Sequence, residues 1–401
     1  MTRRSNVPVA TVGDKKCGEG MLLDTVTILT CAVLAVLAVW SSLADMFFRK
    51  LHEDGGDELS EGERPPVSVI VVADNNAREL RENLSAFLAQ DYPPGFEVIV
   101  VIEKDEDGTA DVLKAFAGSG NLYTTFVPAS SRYMSRRKLA VTLGVKAARN
   151  EWILLTDAEC RPASPRWISC MASRCGDGVD MVLGYSNYPA EAGGFRVFSR
   201  FRHEYAMLRM ASLGKAYAAG GSNLMFRKGM FMAGNGFRGN LKYLRGEYDF
   251  LVNKYAAAGG IAVEASPQAH VVEEAPTRKE WHDRNVFYRE TRRRLSGGAP
   301  YKLGAGLDMF SLYACMLAAV LSAAYSVVAH CWLVLPFSLA ALVLPWLSRT
   351  RSAGRAMSRF GVSRTSRCRW TVAWWLSSPT STTPRNPATV SRHGFQSACR
   401  Y

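Results

Sequence analysis

Three apolar patterns divide the chain. The first is one uncharged run at 26–44, VTILTCAVLAVLAVWSSLA, just long enough to cross a bilayer as a helix. The second is a series of short runs rich in β-branched residues, at 67–72, 96–102, around 124–127 and at 152–156. Such runs predict strands buried on both faces. Between them lie helical spacings. Leu80, Leu84, Phe87 and Leu88 share one side of a helix over 78–90, and further helices are expected near 110–117 and over 139–149. Strand and helix alternate, which predicts an α/β domain with a mostly parallel sheet flanked by helices. The third pattern is the apolar block 309–348, broken near His330. It reads as two short spans in a hairpin, or as one span followed by an interfacial segment, with Pro336 and Pro345 interrupting its second half.

The expected organisation follows: an N-terminal tail at 1–20, a transmembrane anchor at 21–48, and an acidic linker at 49–65. A catalytic domain spans 66–300, one or two transmembrane or interfacial helices span 307–348, and a tail rich in Arg, Ser and Thr spans 349–401. The segment 350–401 contains no Asp, Glu or Lys and shows no sustained period, so disorder is expected there. Ser42, Leu43 and Ala44 would also suit a signal-peptide cleavage site, but the apolar run is long for that purpose. Arg49 and Lys50 after the first run favour a cytoplasmic domain, whereas Arg3, Arg4, Lys15 and Lys16 before it oppose that orientation. A basic collar of Arg289, Arg292, Arg293 and Arg294 again favours a cytoplasmic domain.

Composition sharpens this reading. Hydrophobic residues make up 48% of the 401 positions and charged residues 21%, as expected for a chain with spans. The net charge of +13 suits nucleic acid, anionic lipid or phosphate-rich ligands without choosing among them. Nine cysteines occur without a CxxC or a Cys/His ladder, so neither a zinc site nor a disulfide framework is indicated. Cys160, Cys170 and Cys175 read as small core residues in a reducing compartment.

The candidate chemistry lies at the strand ends. Glu103 and Asp107 follow the second predicted strand, Asp157 and Glu159 the fourth, and Glu247 and Asp249 stand in RGEYDF. In a parallel sheet the first two groups meet at one edge, where ligands of α/β folds bind. Carboxylates crowded together repel unless a cation joins them. A hard divalent ion with bound phosphates fits such oxygens. A lone D-x-E is also what an ordinary polar strand exit looks like, and only its combination with Glu103 and Asp107 favours chemistry.

These stretches resemble the inverting glycosyltransferases of family 2, which have the GT-A fold. The resemblance runs over about 66–295. It begins at PVSVIVVA with Asn75 following, continues through QDYP at 90–93, VVIE at 100–103 and DGT at 107–109, and includes RKLA at 137–140 and LLTDAECRP at 154–162. GGSNLMFR at 220–227 resembles the acceptor-side motif, and Gly246-Glu247 starts a GED-type motif. The resemblance implies a nucleotide-sugar donor, a UDP-sugar first, bound by Ala73, Glu103, Asp107, Lys138 and Asp157. Ala73 and Glu103 would border the nucleoside and Lys138 the diphosphate. It implies Mg2+ or Mn2+ held by Asp157 and Glu159, with Glu159 where the family usually has Asp. The family's base is normally an aspartate directly after the GED glutamate; here that position is Tyr248, so Glu247 is taken as the base and Asp249 as the second choice.

A QxxRW element of the processive members does not occur, which favours single transfer over polymer synthesis. The expected partners are the donor, a lipid-linked or glycan acceptor and membrane lipids, not nucleic acid. The expected location is the cell (inner or plasma) membrane, multi-pass, with the catalytic domain cytoplasmic. Two rival readings are a catalytically impaired membrane scaffold or sugar-binding subunit, motivated by Tyr248, and a nucleotidyltransferase. The latter normally wants a Gly-rich basic loop where this chain has Ala73-Asp74-Asn75-Asn76. His203, His270 and His282 have no ligand spacing and read as core or surface residues. Gly193-Gly194 and Gly220-Gly221 read as turns rather than phosphate loops.

Overall fold

The computed structural model describes residues 25–45, 47–51, 59–128, 135–192, 194–256 and 260–362. It forms two units. One comprises the chain up to Asp45 with Leu307–Ser348, the other Met46–Gly306 with the segment from Arg349 onward.

Along the chain, α1 is Thr25–Leu43, and an α/β succession follows. It comprises β1 (Val67–Asp74), α2 (Ala77–Leu88), β2 (Phe96–Lys104), α3 (Thr109–Ala115), β3 (Leu122–Phe126), α4 (Arg136–Ala147) and β4 (Trp152–Asp157). The next segment holds β5 (Cys160–Pro162), α5 (Trp167–Ala172), β6 (Val179–Gly184), β7 (Ser186–Asn187) and α6 (Gly194–Ser212). It continues through β8 (Leu224–Arg227), α7 (Lys228–Ala233), α8 (Glu247–Tyr255), β9 (Gly260–Glu264), β10 (Val271–Glu273) and α9 (Arg278–Arg293). Two long helices follow, α10 (Ala299–Val328) and α11 (Val334–Arg359).

The main sheet has the order β3-β2-β1-β4-β8-β6-β9. β1, β2, β3 and β4 pair in parallel, whereas β8 runs antiparallel to both β4 and β6. A small second sheet has the order β5-β10-β7. The period-two alternation of strands sorts the core into two layers. Ile70, Val72, Ile99, Val101, Ile153 and Leu155 pack on one face with Ala140, Val141 and Val145 of α4 and the apolar side of α6. Val69, Val71, Val98, Val100 and Leu154 pack on the other with Leu80, Leu84 and Phe87 of α2 and with Trp167. The parallel register pairs Val72 with both Val101 and Asp157 and pairs Asp74 with Lys104, so the carboxyl ends of β1, β2 and β4 share one edge.

The smaller unit holds α1 with residues 307–328 of α10 and 334–348 of α11. Leu34, Ala38, Cys315, Ala319, Val334 and Ala341 form its core, while Leu29, Val36, Leu317 and Leu321 are exposed. Among the described residues, α1 and α10 are long and apolar enough to cross a membrane.

The expectation of a disordered tail fails for its first part. α11 runs through Pro345 and on to Arg359. Beyond residue 348, Ala353, Ala356, Met357, Phe360 and Val362 are buried in the larger unit. Phe360 lies flat against His270 (5.4 Å, 2° between planes) and 4.5 Å from the Tyr185 ring. An aromatic residue with that much apolar surface secures the segment despite its Arg-rich surroundings. The rest of the expected tail, 363–401, and the N-terminal tail lie outside the described residues, as do residues 52–58 of the acidic linker.

Candidate functional site

β4 ends with Asp157 at the shared strand edge, buried although it is an acid. Its Oδ1 accepts the Tyr248 hydroxyl at 3.0 Å and is ion-paired with Arg137, and its Oδ2 accepts the Ser222 hydroxyl at 2.7 Å. Arg137 also reaches Glu247, with Nε 2.7 Å from Oε1. Burial opposes the Arg137 charge, but Asp157 and then Glu247 outweigh it and hold the guanidinium well above its ordinary range. Glu247 is 1% exposed, and its Oε2 has no hydrogen-bond partner among the described residues.

Gly246 sets this geometry locally. It caps α8 in the left-handed region (φ 93°), and a Cβ there would lie 2.5 Å from Thr291 Cγ2. The glycine lets α8 begin with Glu247 at the site and Tyr248 one residue on. Tyr248, at the position where an aspartate was expected, is buried and has its phenol pushed far up, first by burial and then by Asp157. Asp249 points to another partner, with Arg292 Nε 2.9 Å from its Oδ2. Burial raises its carboxyl, and Arg292 opposes the rise.

Of the predicted residues, Asp157, Glu247 and Glu103 come together. Glu103 lies near the end of β2, with β1 between it and the strand of Asp157, and has a buried Oε2 lacking a partner among the described residues. Burial raises its carboxyl, Asp74 and Glu247 add to the rise, and Arg137 and Arg245 oppose it. Ala73 is buried in β1 beside Ile102.

Asp107 is committed elsewhere. Its oxygens accept the Ala77 amide (2.8 Å) and the Thr109 amide and hydroxyl (3.1 and 2.6 Å). It therefore caps the starts of α2 and α3. These hydrogen bonds, against a burial that raises it, hold its carboxyl below the ordinary value.

Lys138, expected at the diphosphate, is fully buried and donates to the carbonyls of Asn240 (2.9 Å) and Tyr243 (2.5 Å). Burial lowers its ammonium to about 8, against the pull of Glu247. The cation at the acids is instead its neighbour Arg137. Glu159 faces Arg284, whose Nη2 is 2.5 Å from its Oε1. Burial pushes the Glu159 carboxyl up, Arg284 opposes this, and Glu273 and Asp157 add to it.

Sequence reasoning also missed a buried ionic lattice behind Glu159. Arg284 contacts Glu273, Arg200 lies 2.9 Å from Glu273 and 3.0 Å from Glu204, and Glu204 packs against Gly220 and Gly221 just before Ser222. A Cβ at Gly220 would lie 1.8 Å from Glu204 Oε2, so the glycine pair is required by close packing. The only signal in the sequence was that glycine pair.

Asp157 and Glu159 carry oxygens of the hard kind that divalent ions take, and Glu247 has a buried oxygen without a hydrogen-bond partner among the described residues. Among the described residues no three Asp, Glu, His or Cys side chains are already grouped around a metal position, and each expected ligand carries an arginine.

Comparison with known proteins gives three likenesses. Glycosyltransferase AglE from Haloferax volcanii is 26% identical over 168 residues, which are 41% of this chain and 53% of AglE. The chain thus spans about half the length of that curated relative. The solved structure of mannosyltransferase PcManGT from Pyrobaculum calidifontis, in complex with GDP-Man and Mn2+, superposes with a TM-score of 0.51 at 18% identity, over 88% of this chain and 95% of that one. This is a likeness of fold. S. aureus TarS 1-349 in complex with UDP-GlcNAc gives a TM-score of 0.42 at 14% identity, over 74% and 81%. Residues 65–287 match the model described as glycosyltransferase like family 2; with more than half of its length inside that match, the chain belongs to this family.

Proposed function

We propose that this chain transfers a sugar, with inversion, from a nucleotide-sugar donor to a hydroxyl of a membrane-associated acceptor. One observation carries the reading: Glu247 stands at the strand edge beside Asp157, with one oxygen on Arg137 and the other uncommitted. An inverting transfer needs one base to take the acceptor proton opposite the leaving diphosphate. Glu247 is that base. Asp249 is the weaker candidate because Arg292 already holds it.

Glu103 and Ala73, on adjacent strands, border the nucleoside. Arg137 rather than Lys138 faces the diphosphate, and Asp107 shapes the loop around it instead of touching the nucleotide. Mg2+ or Mn2+, when bound by Asp157 and Glu159, supplies charge compensation on the leaving diphosphate. The donor is a UDP-sugar; the GDP-Man of the PcManGT complex makes a GDP-sugar the second choice. The two helices long and apolar enough to cross a bilayer support a multi-pass place in the inner or plasma membrane. A cytoplasmic catalytic domain and a lipid-linked or glycan acceptor belong to the same proposal.

Tyr248 favours a second reading, a sugar-nucleotide-binding subunit without turnover. Its hydroxyl is engaged by Asp157, and a phenol pushed up by burial is no base at neutral pH. Thermal-shift screening of UDP- and GDP-sugars with Mn2+, followed by donor hydrolysis and transfer assays, separates the two. Stabilisation by one donor that disappears in Asp157→Asn, together with turnover, supports the transferase. Stabilisation without turnover supports the binding subunit. If no nucleotide sugar stabilises the wild type, both readings fail.

A further inference from the structure

The turn that leads into Glu247 has little apolar reason to sit where it does. Between Phe237 and Gly246 only Asn240 is buried, and Leu241 and Leu244 are exposed. The carbonyls of this turn are tied instead by side chains of other elements. Lys138 of α4 donates to those of Asn240 and Tyr243, Ser135 at the start of α4 to that of Leu244 (2.9 Å), and Thr291 of α9 to that of Arg245 (2.9 Å). Lys138 is the charged donor among these three, and it is 0% exposed. Burial opposes its charge and Glu247 favours it. Its neighbour Arg137 holds the Glu247 carboxylate itself. Two adjacent residues of α4 thus grip the start of α8 twice, Arg137 through a side chain and Lys138 through the main chain just before it.

We propose that Lys138 is a positioning residue for Glu247: its ammonium clasps the 240–245 turn and so fixes where α8 begins, which sets the carboxylate against Arg137 beside Asp157. This rests on the reading of Glu247 as the base. A carbonyl is held about twice as strongly by an ammonium as by a neutral donor. Without the ammonium, the Asn240 carbonyl keeps the amide of Tyr243, a bond inside the turn that ties it to no other element. Gly246 transmits the slack, because its left-handed backbone (φ 93°) is the joint between turn and helix. The effect falls on turnover rather than on donor affinity, since Glu247 acts on the proton of the attacking hydroxyl.

The test is Lys138→Met in the full chain in detergent, which keeps an apolar stem of similar length and removes the donor. Amide hydrogen exchange over 240–250 should run roughly ten- to a hundredfold faster than in the wild type, as for the loss of one charged hydrogen bond. Exchange in β1 and β2 should stay as it was. Release of UDP or GDP from the corresponding sugar nucleotide should show kcat lowered on the order of 10²-fold, with the donor KM within about threefold of wild type. Unchanged exchange over 240–250 overturns the clasp. Faster exchange with unchanged kcat overturns the positioning of Glu247, and a raised KM at unchanged kcat returns Lys138 to the donor. If Lys138→Met does not fold, Lys138→Gln takes its place, with an N–H donor but no charge. Faster exchange together with a lower kcat then supports the proposal, and either one at its wild-type value overturns it. A wild type that releases no UDP or GDP defeats the base reading itself, whereas unchanged exchange or unchanged kcat in the variant defeats this inference and leaves that reading standing.

Discussion

Asp107, after β2, and the acids near β4 are satisfied by different kinds of partner. Beside β2, Asp107 is held by two main-chain amides and a neighbouring hydroxyl. Amides at helix starts cannot leave without unwinding the helix, so that carboxylate belongs to the architecture. Beside β4, Asp157, Glu247, Glu159 and Asp249 are held by arginine side chains from α4 and α9. An arginine can change partner by rotating a few bonds. Acids satisfied in that way can exchange their partner for a ligand, which is why the chemistry is assigned to the β4 side although the β2 end carries more acids in sequence.

The largest effect should come from breaking the β4 side. Glu247→Gln keeps size and a hydrogen bond to Arg137 but removes the proposed base. Transfer should fall by roughly 10² to 10⁴-fold while nucleotide-sugar affinity, measured by thermal shift, stays within a few-fold. Equal turnover in the variant would move the base elsewhere, with Asp249 next to be tested.

How far this contrast could be read beforehand depends on what kind of force sets each part. The strands β1, β2 and β4 are continuous apolar runs, and α2 carries a clear stripe of Leu80, Leu84 and Phe87, so hydrophobic periodicity alone reveals them. The antiparallel β8 in the middle of the sheet leaves no such mark, because a strand's direction depends on distant connections. The pair Arg137 and Lys138 shows a finer limit. Neighbours on a helix point about 100° apart, so which one reaches the acids depends on where α4 begins. Ser135 fixes that start by accepting the Lys138 amide, and a one-residue difference in the boundary exchanges their roles. Apart from the i,i+4 pair of Arg200 and Glu204, the ionic lattice with Glu273 and Arg284 joins residues far apart in sequence, and no local pattern encodes those links.

The segment after residue 348 misled for a related reason: composition says little where one aromatic residue does the anchoring. Phe360 packs against Tyr185, Phe201, Tyr205 and His270. Phe360→Ala should cost about 3–5 kcal/mol of unfolding stability. Because Tyr185 immediately precedes Ser186, a partner of Arg200, donor affinity should weaken as well. A chemical-denaturation midpoint unchanged from wild type would show that the segment merely rests on the surface.

On the β2 side the expected effect is smaller and of the opposite kind. Asp107→Ala removes caps from α2 and α3 and should cost about 1–2 kcal/mol of stability. Nucleotide affinity, measured where the protein is fully folded, should change far less than in Asp157→Asn. A loss of affinity as large as that of Asp157→Asn, with stability intact, would return Asp107 to the nucleotide and erase the distinction between the two strand ends.

The smallest effect is a slope. Glu204, in the lattice behind Glu159, is fully buried, and burial pushes its carboxyl from 4.5 up to about 8 against the pull of Arg200. Below pH 4.5 the folded and unfolded chains both keep this proton, and stability is indifferent to pH through this group. Between 4.5 and about 8 only the folded chain keeps it. Rising pH then favours the unfolded state, by at most about 1.4 kcal/mol per pH unit. Above that window both forms are ionised and the slope vanishes. Glu204→Gln cannot ionise, so the difference in unfolding free energy between wild type and variant should drift steadily in favour of the variant from pH 5 to 8 and then level off. Other titrating groups cancel in that difference as long as they are common to both proteins. Parallel curves across the window would mean that Glu204 is ionised in the folded protein and that the arginines satisfy every acid in the lattice, as the amides do for Asp107.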